Sequence, residues 1–208
     1  MKQLTKQIKI GEYGIEPNHV FIKNSILDGE MRVCITKDPA ITETDEATYA
    51  RIVDSCFQDG TIEVKVRSRL LPDAPDYARG FIGVAFRIDE TNTKFEAIYI
   101  RPTNGRCEEQ VRRNRTMQYF AYPDFKYERM REEFPGKYET YADIGIDEWI
   151  CLKIIVDGEC ADLYLNDAKH PALIVTDLKH GKSNKGAIGL WVDIGTEGFF
   201  RDLKITAR

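Results

Sequence analysis

Two neighbouring runs, Tyr99-Ile-Arg-Pro-Thr-Asn-Gly-Arg106 and Arg112-Arg-Asn-Arg-Thr-Met-Gln-Tyr119, hold five arginines, two asparagines, Gln118 and two tyrosines. A hydrophobic core needs none of that set except the rings. Guanidinium forks, carboxamides and phenol hydroxyls offer planar arrays of hydrogen-bond donors beside apolar rings, the combination that holds a polar, oxygen-rich ligand. The candidate ligand-binding residues are therefore Tyr99, Arg101, Asn104, Arg113, Asn114, Gln118, Tyr119 and, further along, Tyr138. Strand alternation over 94–101 places Phe95, Ala97, Tyr99 and Arg101 on one face, opposite Glu96, Ile98 and Ile100, so that Tyr99 and Arg101 address the same cleft. Arg87 is expected on a neighbouring strand, with Asn104 and Arg106 on a turn at the rim. The competing reading is an exposed web of ion pairs with Glu108, Glu109 and other acids, which would be worth little energetically.

Other chemistries find less support. Glycoside hydrolysis needs two carboxylates flanking the scissile bond; Asp89, Glu90 and Glu96 are candidates by location only, and Glu43-Thr-Asp45-Glu46 sits in a turn-like stretch. Elimination from a uronate needs a Tyr or His base with Arg and Gln or Asn on the carboxylate. Arg101, Arg113, Gln118 and Tyr138 have that chemistry, but His19, His170 and His180 all lie away from the arginine runs. There is no Gly-x-Ser-x-Gly and no Walker sequence. The scattered histidines and the lack of an Asp-x-Asp loop predict no metal site and no cofactor. Five cysteines without paired metal spacing read as free thiols of a reducing compartment.

The elements that must position these residues are strands. Thr61-Ile-Glu-Val-Lys-Val-Arg67 alternates apolar and charged side chains, and 149–156 and 161–165 flank the tight turn at Asp157-Gly158 as a hairpin. Further strands are expected at 19–24, 30–36, 50–57, 80–88, 94–101, 115–121, 172–177, 186–193 and 198–206, about a dozen in all. The closing Phe200-Arg-Asp-Leu-Lys-Ile205 breaks alternation by one residue, which predicts a bulge near Arg201. Two stretches resist: 37–48, acidic and turn-like, and 125–133, which reads as a short helix. The aromatic residues Tyr119, Tyr122, Phe125, Tyr127, Phe134, Tyr138 and Tyr141 either cover the cleft or anchor a long connection. Trp149 reads as core, and Trp191 as core or a stacking platform.

The order of Phe57-Gln-Asp-Gly-Thr-Ile-Glu-Val64, Gly80-Phe-Ile-Gly-Val-Ala-Phe-Arg87, the Trp149 strand, the Asp-Gly hairpin, Gly186-Ala-Ile-Gly-Leu-Trp191 and the closing strand resembles the concanavalin A-like lectin/glucanase (laminin G-like) superfamily. Within it, the two arginine runs, Pro135-Gly-Lys-Tyr-Glu139 and Gly189-Leu-Trp191 resemble a group of bacterial proteins, largely without assigned activity and often exported. The resemblance implies an all-β, two-sheet antiparallel jelly-roll sandwich whose concave sheet is where relatives hold glycans. It leaves open a single structural Ca²⁺, which relatives of this fold sometimes carry.

Length and composition fit that expectation: 208 residues, 42% hydrophobic and 31% charged, suit a single jelly-roll domain over 1–208. A net charge of -4 argues against general attraction to nucleic acid or anionic membranes. The run Met1–Ile10 lacks the apolar core of a signal peptide, so a cytoplasmic location is expected. The functional expectation is an oligosaccharide- or polysaccharide-binding protein, with a carbohydrate-active hydrolase or lyase and a protein-interaction module as alternatives.

Overall fold

The computed structural model describes residues 4–8 and 14–208. Met1–Gln3 and Lys9–Tyr13, part of the amino-terminal run considered above, lie outside the described residues. The described strands are β1 (Leu4–Ile8), β2 (Ile15–Asn18), β3 (Val20–Leu27), β4 (Glu30–Lys37), β5 (Tyr49–Ile52), β6 (Gly60–Leu70), β7 (Ile82–Ile88), β8 (Phe95–Ile100), β9 (Met117–Tyr122), β10 (Glu139–Thr140), β11 (Ile150–Asp157), β12 (Cys160–Leu165), β13 (Leu173–Val175), β14 (Ala187–Val192) and β15 (Thr196–Ala207). Three short helices, α1 (Pro102–Gly105), α2 (Gln110–Arg113) and α3 (Tyr127–Glu133), lie between β8 and β10. No described helix is long and apolar enough to cross a membrane.

Two antiparallel sheets result. One runs β13-β12-β11-β6-β15-β4-β3, and the other β10-β9-β8-β7-β14-β5-β2. The long β15 takes β4 beside Glu197–Phe200 and β1 beside Leu203–Ala207, while β6 pairs along its other edge. The expected bulge is there: the β15–β6 register shifts between Arg201 and Lys204, and Asp202 has a φ of 55°. The hairpin of β11 and β12 forms with Gly158 at a φ of 61°, and the helix expected over 125–133 is α3. The strand expected at 50–57 stops at Ile52, because Asp54 takes a φ of 57° and only Phe57 pairs again, as an isolated bridge to Gly186.

The sheets meet through their inward faces, where Ile62, Val64 and Val66 of β6 and Ile150, Leu152 and Ile154 of β11 oppose Val84, Ile98, Leu190 and Tyr119 of the second sheet. The outward face of that second sheet is also buried. Tyr49, Phe95, Tyr99, Phe120 and Trp191 form a separate aromatic cluster there, each no more than 1% exposed. Their rings meet edge-on or tilted: Tyr49–Phe95 at 5.3 Å, Phe95–Phe120 at 5.7 Å and Tyr99–Trp191 at 4.8 Å. The face on which the resemblance would place a glycan is thus filled by the chain's own rings, and Trp191 is core. Small residues make room for them: a Cβ added at Gly189 would meet Cγ of Tyr49 at 2.9 Å.

The loop 38–48 closes over this cluster. Trp191 donates its indole N–H to Glu46 O at 2.9 Å, Thr48 donates its hydroxyl to Val192 O at 2.6 Å, and Lys126 pairs with Glu46 across the top. Trp149, expected in the core, lies half-buried on the outer face of the first sheet. Its ring carries Arg201 at 4.2 Å, and its indole donates to Asp28 at 3.1 Å. Arg87 lies on β7, the expected neighbour of β8. An extra residue on β7 near the β14 register shift, with Arg87 at a φ of 54°, re-aims its guanidinium to the carbonyls of Gln58, Gly158 and Gly181.

Beside the cluster the backbones of β7 and β8 approach closely at Gly83, where a Cβ would meet Ile98 O at 2.3 Å and Tyr99 Cα at 2.5 Å. Gly83→Ala is therefore expected to cost about 3 kcal/mol, the upper end of the overpacking range, read as a drop in the denaturant midpoint with an unchanged slope.

Candidate functional site

At the end of the seven-stranded sheet where β7 begins and β8 and β14 finish, a cleft of about 220 Å³ opens beside the sealed aromatic face. Phe81 and Tyr99, both members of the aromatic cluster, line its floor. Its walls carry Arg79 from the loop before β7, Arg101 and Asn104 at the end of β8 and in α1, Arg112 and Arg115 around α2, and Tyr127 and Arg131 from α3. Thr44 and Asp45 of the closing loop, Asp193 after β14, and the exposed Tyr77 complete it.

Arg101 is the most constrained of these. It is 4% exposed, lies 4.8 Å over the Tyr99 ring, and donates to Tyr99 OH at 2.5 Å, to Gln118 Oε1, to Arg115 O at 3.0 Å and to Glu139 Oε1 at 3.2 Å. The β8–β9 and β9–β10 registers explain this: Tyr99 stands opposite Gln118, and Gln118 opposite Glu139, so three adjacent strands deliver one polar row. Glu139 also receives three hydrogen bonds from Arg131, at 3.1, 3.0 and 2.5 Å, and pairs with Arg115 at 3.7 Å. One carboxylate thus serves three guanidiniums.

On the opposite wall the carboxylates are committed to structure. Asp193, 1% exposed, accepts Lys37 Nζ at 2.6 Å and Ile194 N at 2.8 Å on one oxygen, and Asp45 N at 3.0 Å on the other. Asp45 accepts Tyr127 N at 2.8 Å, which ties the closing loop to α3. Burial, reinforced by the neighbouring Asp193 charge and opposed by Arg101, pushes the Asp45 carboxyl up to about 6. Partial burial and the adjacent Arg112 and Arg101 charges pull the Arg79 guanidinium below its usual value.

The expected site residues divide into two groups. Tyr99, Arg101 and Asn104 line the cleft, and Gln118 sits beneath it as the acceptor that fixes Arg101. The other four do not join them. Arg113 points to Tyr141, donating to its hydroxyl at 3.0 Å, because it lies on the opposite side of the single-turn α2 from Arg112. Asn114 lines a separate depression with Val111 and Pro135, and accepts from Gln110 at 2.7 Å. Tyr119 alternates to the inward face, where its hydroxyl donates to Glu96 and accepts Lys179 N at 2.7 Å. Tyr138 is buried against Phe134 and Tyr119, with its hydroxyl on Asp177 at 2.6 Å. The turn expected at 102–106 is the helical α1; it buries Asn104 and leaves Arg106 outside, paired with Asp143 and Glu148.

The ion-pair partners foreseen for these arginines, Glu108 and Glu109, make none of these contacts; Glu139 and Glu148, distant in sequence, take their place. Of the tyrosine-rich stretch only Tyr127 reaches the cleft, while Phe125, Phe134 and Tyr138 surround Lys179 at 4.1 to 5.5 Å as an anchor. None of the candidate acids serves the cleft. Asp89 caps its own turn through Thr91 and Thr93, Glu90 is exposed, and Glu96 is buried between the sheets. Arg112 and Arg115 lay in the arginine run and Tyr127 in the aromatic stretch without being singled out as ligand-binding, while Asp45, Tyr77, Arg79, Arg131 and Asp193 escaped because loops from separate parts of the chain bring them together. The one available signal was Asp45 in a loop without alternation.

No protein-family model matches the chain, and no curated protein matches it in sequence. Solved structures do. A carbohydrate binding module, CBM66, from Bacillus subtilis superposes with a TM-score of 0.55 at 12% identity, covering 91% of this chain and 96% of that one. A Bacillus subtilis protein of unknown function with a galectin-like fold gives 0.52 at 14% identity, covering 96% and 92%. The sandwich is of the concanavalin A-like, galectin-like type. Domain 4 of an extracellular arabinanase from Geobacillus stearothermophilus, solved with arabinotriose, gives 0.51 at 12% identity over 95% of this chain and 84% of that one. At such identities the likeness establishes the concanavalin A-like architecture and no residue of the site.

Because its folded-state carboxyl titrates near 6 against 3.8 for the ordinary group, Asp45 favours folding only while protonated. Its contribution is fully present below about pH 4 and is lost as pH rises through 6. Asp45→Asn keeps an acceptor for Tyr127 N and tolerates the φ of 52°. The variant is expected to be more stable than the parent above pH 6, by up to about 3 kcal/mol, and to lose that advantage near pH 4, as read from denaturant unfolding across the range.

Proposed function

We propose that this protein binds a carbohydrate in the cleft formed by Phe81, Tyr99, Arg101 and the flanking loops. The observation that carries the proposal is the rigid Tyr99–Arg101–Gln118 row, which anchors the floor of a cleft walled by the guanidiniums of Arg79, Arg112 and Arg115. Fixed donors beside an apolar ring suit a sugar, whose hydroxyls take paired hydrogen bonds while its C–H face packs on aromatic carbon. Tyr77, 54% exposed at the lip, supplies a second ring surface. The architecture supports the reading: one structural neighbour is titled a carbohydrate binding module and another was solved with arabinotriose.

Binding is favoured over glycoside hydrolysis by the state of the two aspartates. Hydrolysis needs a pair of carboxylates free to act on the bond. Both oxygens of Asp193 are occupied by Lys37, Ile194 and Asp45.

A broad glycan array followed by calorimetry tests the proposal. Tyr77→Ala and Arg115→Ala, both at accessible positions, are expected to weaken the best array ligand by about tenfold each. Arg113→Ala, which faces Tyr141 outside the cleft, is expected to leave it unchanged. Absence of any array ligand for the folded protein, or equal loss with all three variants, would overturn the assignment.

A further inference from the structure

The cleft carries more positive charge than its own acids neutralise. Its five guanidiniums, Arg79, Arg101, Arg112, Arg115 and Arg131, together with Lys37, are met by Glu139, Asp45 and Asp193, with Glu109 near enough to attract Arg79. Six positive groups set against four acids leave an excess of two positive charges around one recess of a chain whose net charge is -4. Three arginines share Glu139, and Asp193 belongs to Lys37. Arg79 and Arg112 make no ion pair among the described residues. Arg79 donates only to the carbonyls of Asp76 and Ala78, at 2.5 and 2.7 Å, and Arg112 only weakly to Asn104 at 3.4 Å. The Nε of Arg112 is buried without a hydrogen-bond partner, as is the amide nitrogen of Gln118.

Leaving like charges together in a partly desolvated recess is unfavourable, as is a buried donor without an acceptor. An oxoanion placed between the two arginines would relieve both, through charge-assisted bonds to guanidinium forks. A neutral sugar would satisfy the donors and leave the repulsion.

Building on the carbohydrate reading, we infer that the cleft selects an acidic saccharide, its ring against the exposed Tyr77 and its carboxylate or sulfate held by Arg79 and Arg112. The anion gives selectivity and the ring gives placement. Arg101, already committed to Glu139 and Gln118, orients the site and is not the main anion ligand.

Calorimetry at pH 7 on the full chain tests this with a galacturonate trisaccharide, a mannuronate trisaccharide, the methyl ester of each, a sulfated oligosaccharide, a neutral cello-oligosaccharide and inorganic sulfate. At least one charged saccharide is expected to bind about tenfold or more tighter than its uncharged counterpart. Arg112→Gln and Arg79→Gln are each expected to remove most of that difference, weakening the charged ligands several-fold more than their uncharged counterparts, with the thermal midpoint within a few degrees of the parent. Raising salt from about 0.05 M to about 0.5 M is expected to weaken only the charged ligands. A uronate response or a sulfated-saccharide response alone supports the inference and identifies the anion. Equal binding of charged and uncharged saccharides overturns it while the carbohydrate reading stands. Binding of inorganic sulfate as tight as that of any saccharide overturns it, and no saccharide binding at all overturns both.

Discussion

The buried contact between Lys37 and Asp193 is the constraint on which the remainder rests. Lys37 ends β4 in one sheet and Asp193 follows β14 in the other, and their 2.6 Å ion pair is almost wholly removed from solvent. Such a pair is weak evidence for stability by itself, because desolvation offsets most of the attraction, but breaking it would strand a charge at a cost of about 3–5 kcal/mol. Its consequence is geometric. With Asp45 N on the second oxygen of Asp193 and Tyr127 N on Asp45, loop 38–48 has a single placement. In that placement it closes the aromatic face and forms one wall of the cleft.

Two consequences for function come from one loop. Sealing the sheet removes the broad surface on which a sandwich of this type could hold an extended ligand, and leaves the cleft at one end as the proposed site. There the backbone of β8 gives way to α1 and α2, whose short turns bring Asn104, Arg112 and Arg115 back beside Arg101. The row Tyr99–Gln118–Glu139, set by strand register, keeps Arg101 still. Rigid donors lose little conformational freedom when a ligand arrives, which is how a small cleft can be selective.

Much of the fold was legible because alternation has a strict period. β6, the β11–β12 hairpin and the bulge at Asp202 follow directly from side-chain pattern. The pairing of Tyr99 with Arg101 was legible for the same reason. Residues outside strands were not: Arg112 and Arg113 are adjacent in sequence and differ only in which side of a one-turn helix they occupy, so residue type could not separate the one in the cleft from the one on Tyr141. Trp149 read as core and is not, whereas Trp191 read as core or a stacking platform and is core. Each opens or closes a strand, and only the neighbouring loops decide that one lies under Arg201 and the other under Glu46. Arg87 lies on the neighbouring strand as expected, and only the bulge in β7 decides where its guanidinium points.

The account stands or falls on whether the ligand enters the cleft or lies across the sheet. An NMR titration with the best-binding oligosaccharide, following the arginine Nε–Hε signals and the two indole N–H signals, reads this directly. Movement of Arg79, Arg101 and Arg112 with a static Trp191 indole, held on Glu46 beneath the closed loop, is the predicted result. A Trp191 indole that shifts while those arginines stay still would mean that the loop opens and the aromatic face receives the ligand, contrary to the structure described.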